Sequence, residues 1–279
     1  MFLKSNLTIK SSKNPITVIF FTPHADDIEI GVPFMYLEAL RLGNRVIEVL
    51  MTNNEFGTRR DDFKGHRLRK IRAKELDNAN RVFEKYAKNR VHVIKMGYID
   101  GHLPLDNDVL QKMIKLIRNE KPTIIFAPDF WYAQDFHPDH INTGRLVYFT
   151  LKKLLKSEQP RRTFYYYSTK TRNYIKCKWK DFKIVKEVLS QHKSQYSPLE
   201  NKLFTTFYKK LSILRHFFET KKFSESFREQ EFNNGFPVAP EEFEKMRMRA
   251  RIIYFAFSKV TIWGYKKLHN LTPQELGLL

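Results

Sequence analysis

The sequence holds one cysteine, Cys177, in 279 residues. That excludes a disulfide framework and any cysteine-rich zinc module, and it fits a reducing compartment. Glycine and proline are also few, at 10 and 12 residues, beside 42% hydrophobic residues. The chain therefore has a globular composition, not a low-complexity or disordered one. Long apolar runs are missing. The first residues, "MFLKSNLTIKSSKNP", lack the continuous apolar core of a secretory signal. "IIYFAFSKVTIWGY" (252–265) is too short to span a bilayer and is broken by Lys259. The expectation is a cytoplasmic protein. Acidic residues are in short supply: 30 Asp and Glu face 50 Lys and Arg, a net charge of +20. Residues 1–150 carry +5 of it and residues 151–279 carry +15. A basic surface concentrates anionic partners, such as a phosphorylated substrate, an anionic membrane surface or nucleic acid.

What is present is an alternation. "ITVIFF" (16–21) is a β-branched apolar run that reads as a strand buried on both faces. A helix is expected over 32–42, stopped by Gly43. Strands follow at 45–52, 91–96, 123–128 and 163–168, with helices at about 66–87, 108–119 and 141–156. Alternating strands and helices imply an α/β, Rossmann-like fold: a mostly parallel sheet with helices on both faces. After residue 170 the pattern reads as mainly helical, over 181–195, 199–222 and 241–260, with a Gly/Pro-rich loop at 233–240. The expected division is a catalytic domain over 1–198 and a basic helical C-terminal extension over 199–279.

Polar residues crowd the ends of two of the strands. His24, Asp26, Asp27 and Glu29 follow the first, and His137, Asp139 and His140 follow the fourth. In parallel sheets, ligands bind at the carboxyl ends of strands where the strand order reverses. With the order 3-2-1-4-5, the two loops face each other across that crevice. Imidazole and carboxylate are donors that suit zinc, and a catalytic zinc needs three protein ligands and an open position. Two ligands from one loop and one from the other would suffice. Each loop alone also fits a helix N-terminus, where carboxylates are favoured.

The two loops carry a resemblance. "HADDIEIG" (24–31) resembles the first motif of the PIG-L/LmbE-like family of zinc-dependent N-acetyl-sugar deacetylases, His-Pro-Asp-Asp-x-Glu followed by a Gly. "HPDHINTG" (137–144) matches the second, His-Pro-Asp-His with a small residue four positions on. "TNNEFG" (52–57), "RAKELDNA" (72–79), "GYIDGHL" (97–103) and "KEVLSQHKSQ" (186–195) are similar to further family segments, in the family's order. The resemblance covers roughly residues 15–195. Two positions depart from it: Ala25 stands where the family has proline, and Asn54 where it commonly has glycine.

The resemblance implies Zn²⁺ held by His24, Asp27 and His140, with Asp26 as general base and His137 as the second catalytic residue; a protonated His137 could face the oxyanion, and either Asp26 or His137 could protonate the leaving amine. It implies hydrolysis of the acetyl amide of an N-acetylglucosamine-type sugar, free or linked to a phosphate, nucleotide or lipid carrier. Arg72, Asp100 and Glu55 become candidates for substrate binding, Arg72 having a helix-surface ion pair with Glu75 as its plain alternative. Asp139 either orients a ligand histidine or caps the helix after it. Glu29 reads as a first-turn helix charge, His192 as solvent-facing and His92 as structural. His66 and His102 belong to no constellation. A second function class remains, a polyanion- or nucleic-acid-binding protein without catalysis. It rests on the aromatics and lysines interleaved over 163–183.

Overall fold

A computed structural model describes residues 5–6, 15–58, 60–135, 137–203, 205–206 and 223–230. Eight strands form one sheet: β1 Ser5–Asn6, β2 Thr17–Thr22, β3 Arg45–Thr52, β4 His92–Tyr98, β5 Ile124–Pro128, β6 Arg162–Tyr166, β7 Asn173–Lys176 and β8 Ser224–Glu229. Their order is β1-β7-β8-β6-β5-β2-β3-β4. The five strands expected from the alternation lie as β4-β3-β2-β5-β6, all parallel, which is the 3-2-1-4-5 order. The order reverses between β2 and β5, so the loops after them share one crevice.

Hydrophobic residues alternate across β2, which separates two packed layers. Val18 and Phe20 face one layer with Tyr36, Phe83 and Phe126. Ile19 and Phe21 face the other with Met113, Leu146 and Tyr148. The helices are α1 Asp27–Gly31, α2 Pro33–Arg41, α3 His66–Glu84, α4 Asn107–Glu120, α5 Pro138–Lys153 and α6 Asp181–Leu189. The helix expected from residue 32 starts earlier and is broken. Asp27–Gly31 form a short turn of helix, and Pro33, which suits a first helical position, begins the next.

Two strands lie after residue 170, where a mainly helical pattern is expected. β7 is parallel to β1, and β8 runs antiparallel between β6 and β7. The sequence of β8, SESFRE, has one apolar residue, Phe227, so hydrophobic periodicity could not show it. Its buried charges are satisfied by distant partners. Glu225 accepts the Phe34 and Met35 amides at 3.3 and 2.8 Å, at the start of α2. Arg228 donates to both oxygens of Asp129 at 2.6 and 2.8 Å. The first turns of the expected 199–222 helix are helical; the remainder of it, the 233–240 loop and the 241–260 helix lie outside the described residues. No helix among the described residues is long and apolar enough to cross a membrane.

Two motif glycines are explained by packing. A Cβ at Gly144 would collide with the carbonyl oxygen of Pro128, and one at Gly31 would come within 2.7 Å of the Tyr166 ring. Both helices that follow the polar loops therefore press directly on the sheet. Phe164, Tyr165 and Tyr166 are fully buried in β6, which leaves them unable to stack on nucleic-acid bases.

Candidate metal centre

The β2 strand ends at Thr22, and its exit is pinned where Thr52 Oγ1 donates to the Pro23 carbonyl at 2.8 Å. The chain then turns into α1. Asp27 Oδ2 reaches back to accept the His24 amide at 2.7 Å, which fixes the side chain at the mouth of the turn. Across the crevice, His137 is the N-cap of α5 and Pro138 its first residue. His140 then projects from the first turn.

Three donor groups converge. His24 Nδ1 lies 3.1 Å from His140 Nε2. His140 Nε2 lies 3.2 Å from Asp27 Oδ1, and Asp27 Oδ2 lies 3.5 Å from His24 Nδ1. Zinc bonds of about 2.0–2.1 Å in tetrahedral geometry put ligand atoms roughly 3.3 Å apart. The triangle therefore fits one small cation. Among the described residues, His24, His137 and His140 also offer ring nitrogens within 4.8 Å of one another, and His24, Asp100, His137 and Asp139 form an overlapping set. Those sets draw on groups already committed elsewhere. His137 Nδ1 accepts the Asp139 amide at 3.2 Å. Asp100 Oδ2 accepts the Phe56 and Gly57 amides, and Asp139 accepts those of Gly101 and Leu103.

Each candidate ligand histidine is backed by a carboxylate, an arrangement that selects the tautomer and aims the other nitrogen at a metal. His24 Nε2 lies 3.1 Å from Asp100 Oδ1 and 3.3 Å from Asp139 Oδ2. His140 Nδ1 lies 3.3 Å from Asp135 Oδ2. Burial alone would lower the His24 pKa. The Asp100 charge, with hydrogen bonds to Asp100, Asp139 and Asp27, outweighs it and holds the ring well above its usual value. The pocket is thus a well for positive charge, as a cation site must be.

Several expected roles change. Asp100, a substrate-binding candidate, lies buried behind His24 with both oxygens occupied. Glu55, another, is buried and accepts the Asp100 amide at 3.1 Å. Asp139 does not cap α5: it accepts amides from the loop after β4 and backs His24. Arg72 is 1% exposed and makes no surface pair with Glu75. It donates from Nη2 to Asp26 Oδ1 at 2.6 Å and to Asn54 Oδ1 at 3.0 Å, while Nε and Nη1 stay buried without a partner. Glu75 instead takes the Ser194 amide and hydroxyl at 2.7 and 2.6 Å. The charge-rich sequence of α3 hid this, because its polar face reads as solvated.

Asp26 is held from two sides, by Arg72 and by the Tyr196 hydroxyl on Oδ2 at 2.8 Å. Burial opposes its ionisation, but the Arg72 charge, then His192 and the Tyr196 bond, keep it well below the usual carboxylate range. His137 was expected to be protonated. Burial, reinforced by the neighbouring His24 and His140, pulls it down to about 4. With Nδ1 accepting the Asp139 amide, the neutral ring carries its hydrogen on Nε2.

The stretch after α6 packs into the candidate site instead of facing solvent. His192, expected at the surface, is fully buried 3.2 Å from Glu29. Glu29 does lie in the first turn of α1, but buried rather than as a solvated charge. Thr58 donates to the Ser194 carbonyl at 2.9 Å, so residues 192–196 bind α1, α3 and the loop after β3 together. Tyr196 and Asp135 are site residues that sequence reasoning missed. Tyr196 adjoins "HKSQ" and Asp135 stands two residues before His137, so adjacency to the motifs was the available signal. His66, His92 and His102 lie on the exposed surface, outside the cluster.

Residues 19–151 match the family model described as PIG-L: GlcNAc-PI de-N-acetylase. Over 129 residues the chain is 30% identical to a diacetylchitobiose deacetylase of Thermococcus kodakarensis. That alignment covers 46% of this chain and 46% of the relative, so the chain spans about half the length of the curated relative it matches. The N,N'-diacetylchitobiose deacetylase of Pyrococcus horikoshii, solved with an inhibitor, superimposes with a TM-score of 0.70 at 24% identity. It covers 81% of this chain and 89% of its own. The 4-carboxy-2-hydroxymuconate hydratase of Pseudomonas putida has the same fold, with a TM-score of 0.64 at 10% identity, covering 80% of this chain and 100% of its own. The fold thus serves more than one chemistry, and the site residues must decide between them.

Proposed function

We propose that this protein is a zinc-dependent deacetylase that removes the acetyl group from an N-acetylglucosamine-type amino sugar. The observation that carries it is the convergence of His24 Nδ1, Asp27 and His140 Nε2 to within 3.5 Å, with Asp26 and His137 beside them. The match to the PIG-L family model and the similarity to a diacetylchitobiose deacetylase support the substrate class. A zinc ion bound by His24, Asp27 and His140 would supply a Lewis acid and a water acidic enough to attack near neutral pH.

The chain's own groups divide the remaining work. Asp26, kept ionised by Arg72 and Tyr196, is the acceptor for the proton of the attacking water. Two held oxygens fix the direction in which its remaining lone pairs point. His137 donates its Nε2 hydrogen to the oxygen that becomes negative as the acetyl carbon turns tetrahedral. A neutral donor serves here, because Nδ1 is held as the acceptor of the Asp139 amide and the ring hydrogen is left on Nε2. The C–N bond breaks, the proton collected from water passes to the leaving nitrogen, and acetate and a free amino sugar result.

The +15 charge of residues 151–279 supports an anionic carrier on the sugar, and the single free Cys177 supports a reducing, cytoplasmic setting. The test is acetate release, with zinc supplied, from N-acetylglucosamine and diacetylchitobiose and from nucleotide-linked and lipid-linked N-acetylglucosamine. Release from one of these, lost with the metal, is expected. Zinc-loaded protein inert on all of them overturns the reading.

A further inference from the structure

Asn54 follows β3 in a left-handed backbone conformation, with φ of 62°. Glycine adopts that conformation most readily, and asparagine is the commonest tolerated alternative. The turn itself therefore gives no reason to prefer asparagine over glycine. The side chain does. It is buried, and each of its polar atoms is engaged. Nδ2 donates to the Thr52 carbonyl at 3.0 Å. Oδ1 accepts the Ala25 amide at 2.8 Å and Arg72 Nη2 at 3.0 Å.

Those two donors are the ones that set Asp26. Ala25 is the residue between His24 and Asp26, so its amide belongs to the His24–Ala25 peptide, one link ahead of the candidate base. Arg72 Nη2 is the same nitrogen that donates to Asp26 Oδ1 at 2.6 Å. An Nη2 carries two hydrogens, and here one goes to Asp26 and one to Asn54. Asn54 Oδ1 thus closes a ring that runs through Arg72, Asp26 and the Ala25 amide. We propose that Asn54 is a positioning residue, which holds the His24–Ala25 peptide and the guanidinium that grips Asp26 in one fixed relation. The proposal deepens the deacetylase reading and rests on it for the role of Asp26.

The two departures from the family motifs are the two ends of one bond. Ala25 contributes an N–H where a proline would have none, and Asn54 contributes an acceptor where a glycine would have none. A buried N–H without an acceptor is costly, so alanine at 25 calls for an acceptor that proline does not.

A cycle of Asn54→Gly, Ala25→Pro and the double variant tests this, read by melting temperature, by zinc affinity and by kcat and KM. In Asn54→Gly the Ala25 amide is orphaned. The melting temperature falls, kcat falls roughly tenfold as for other residues that orient a site, and KM changes little. Adding Ala25→Pro removes the orphaned N–H, and the double variant regains most of the lost melting temperature. Strictly additive effects on melting temperature overturn the proposal. Amide hydrogen exchange covers the case in which the proline variants fail to fold: Asn54→Gly must selectively lower protection of the Ala25 amide, and unchanged protection is equally fatal. Both readings are independent of activity. A protein that deacetylates nothing but shows the coupling refutes the enzyme assignment and leaves the hydrogen-bonded tie intact.

Discussion

Glu29 Oε1 lies 3.2 Å from His192 Nε2 where solvent does not reach. The pair joins the first turn after the His24 loop to the segment that follows α6. Replacing one member strands the other, and an uncompensated buried charge costs about 3–5 kcal/mol. His192→Ala should therefore unfold far more easily than the parent. Burial alone would lower the His192 pKa, but Glu29, then Asp26, outweigh it and raise it. A raised histidine pKa stabilises fully below the unfolded value of about 6.5 and loses that contribution as pH climbs through the folded value. Urea melts at about pH 6 and about pH 9 should show the variant's deficit shrinking at the higher pH. An equal deficit at both would show that the pair carries no ionic contribution.

Glu48 gives a pH dependence of its own. It is buried on β3, accepts Asn80 Nδ2 at 2.9 Å and faces the Glu29 charge. Burial, then Glu29, pushes its pKa up to about 8. Below the unfolded value of about 4.3 the carboxyl is neutral in both states and costs nothing. As pH rises toward the folded value, only the unfolded chain sheds the proton freely, and the native state loses up to about 1.4 kcal/mol per pH unit. Glu48→Gln should match the parent in thermal melts near pH 4 and exceed it increasingly up to about pH 8. A constant difference across that range would place the titration elsewhere.

Asp26 and His24 should separate on loss. Asp26→Asn keeps the three converging donors and should bind zinc in full while turnover falls roughly 10²–10⁴-fold. His24→Ala should fail to retain zinc on dialysis. Metal analysis beside an acetate assay reads both, and full activity with full metal in His24→Ala would remove the proposed ligand set.

Asp135 stands 3.3 Å from His140 Nδ1. Carboxylates behind ligand histidines typically contribute 10–100-fold in metal affinity. Asp135→Asn should weaken zinc binding by about that factor in competition titrations with a chelator. Unchanged affinity would mean that the α5 backbone alone orients His140.

The strand order and the facing of the two polar loops were legible because both follow from local patterns: apolar runs of strand length, and charge at their ends. Arg72 was not, since its helix is charged on most sides and only the fold turns that position inward. His192 and Glu29 meet across a long stretch of chain that no periodicity connects. The β8 strand was hidden by its composition. Its burial is accomplished by Glu225 and Arg228 finding partners on α2 and after β5, and such pairs leave no local signature.

That strand also sets an order of events in biosynthesis. Arg228 anchors Asp129, whose Oδ1 accepts the Trp131 and Tyr132 amides at 2.9 and 3.2 Å in the loop that leads to His137 and His140. A chain growing from its N-terminus exposes β6 and β7 well before β8 can slip between them. The parallel core can assemble early, but the sheet closes only through a contact of long sequence separation, the slowest kind to form. Until then the second loop lacks its anchor. The proposed metal centre should thus become complete only after the parallel core is in place.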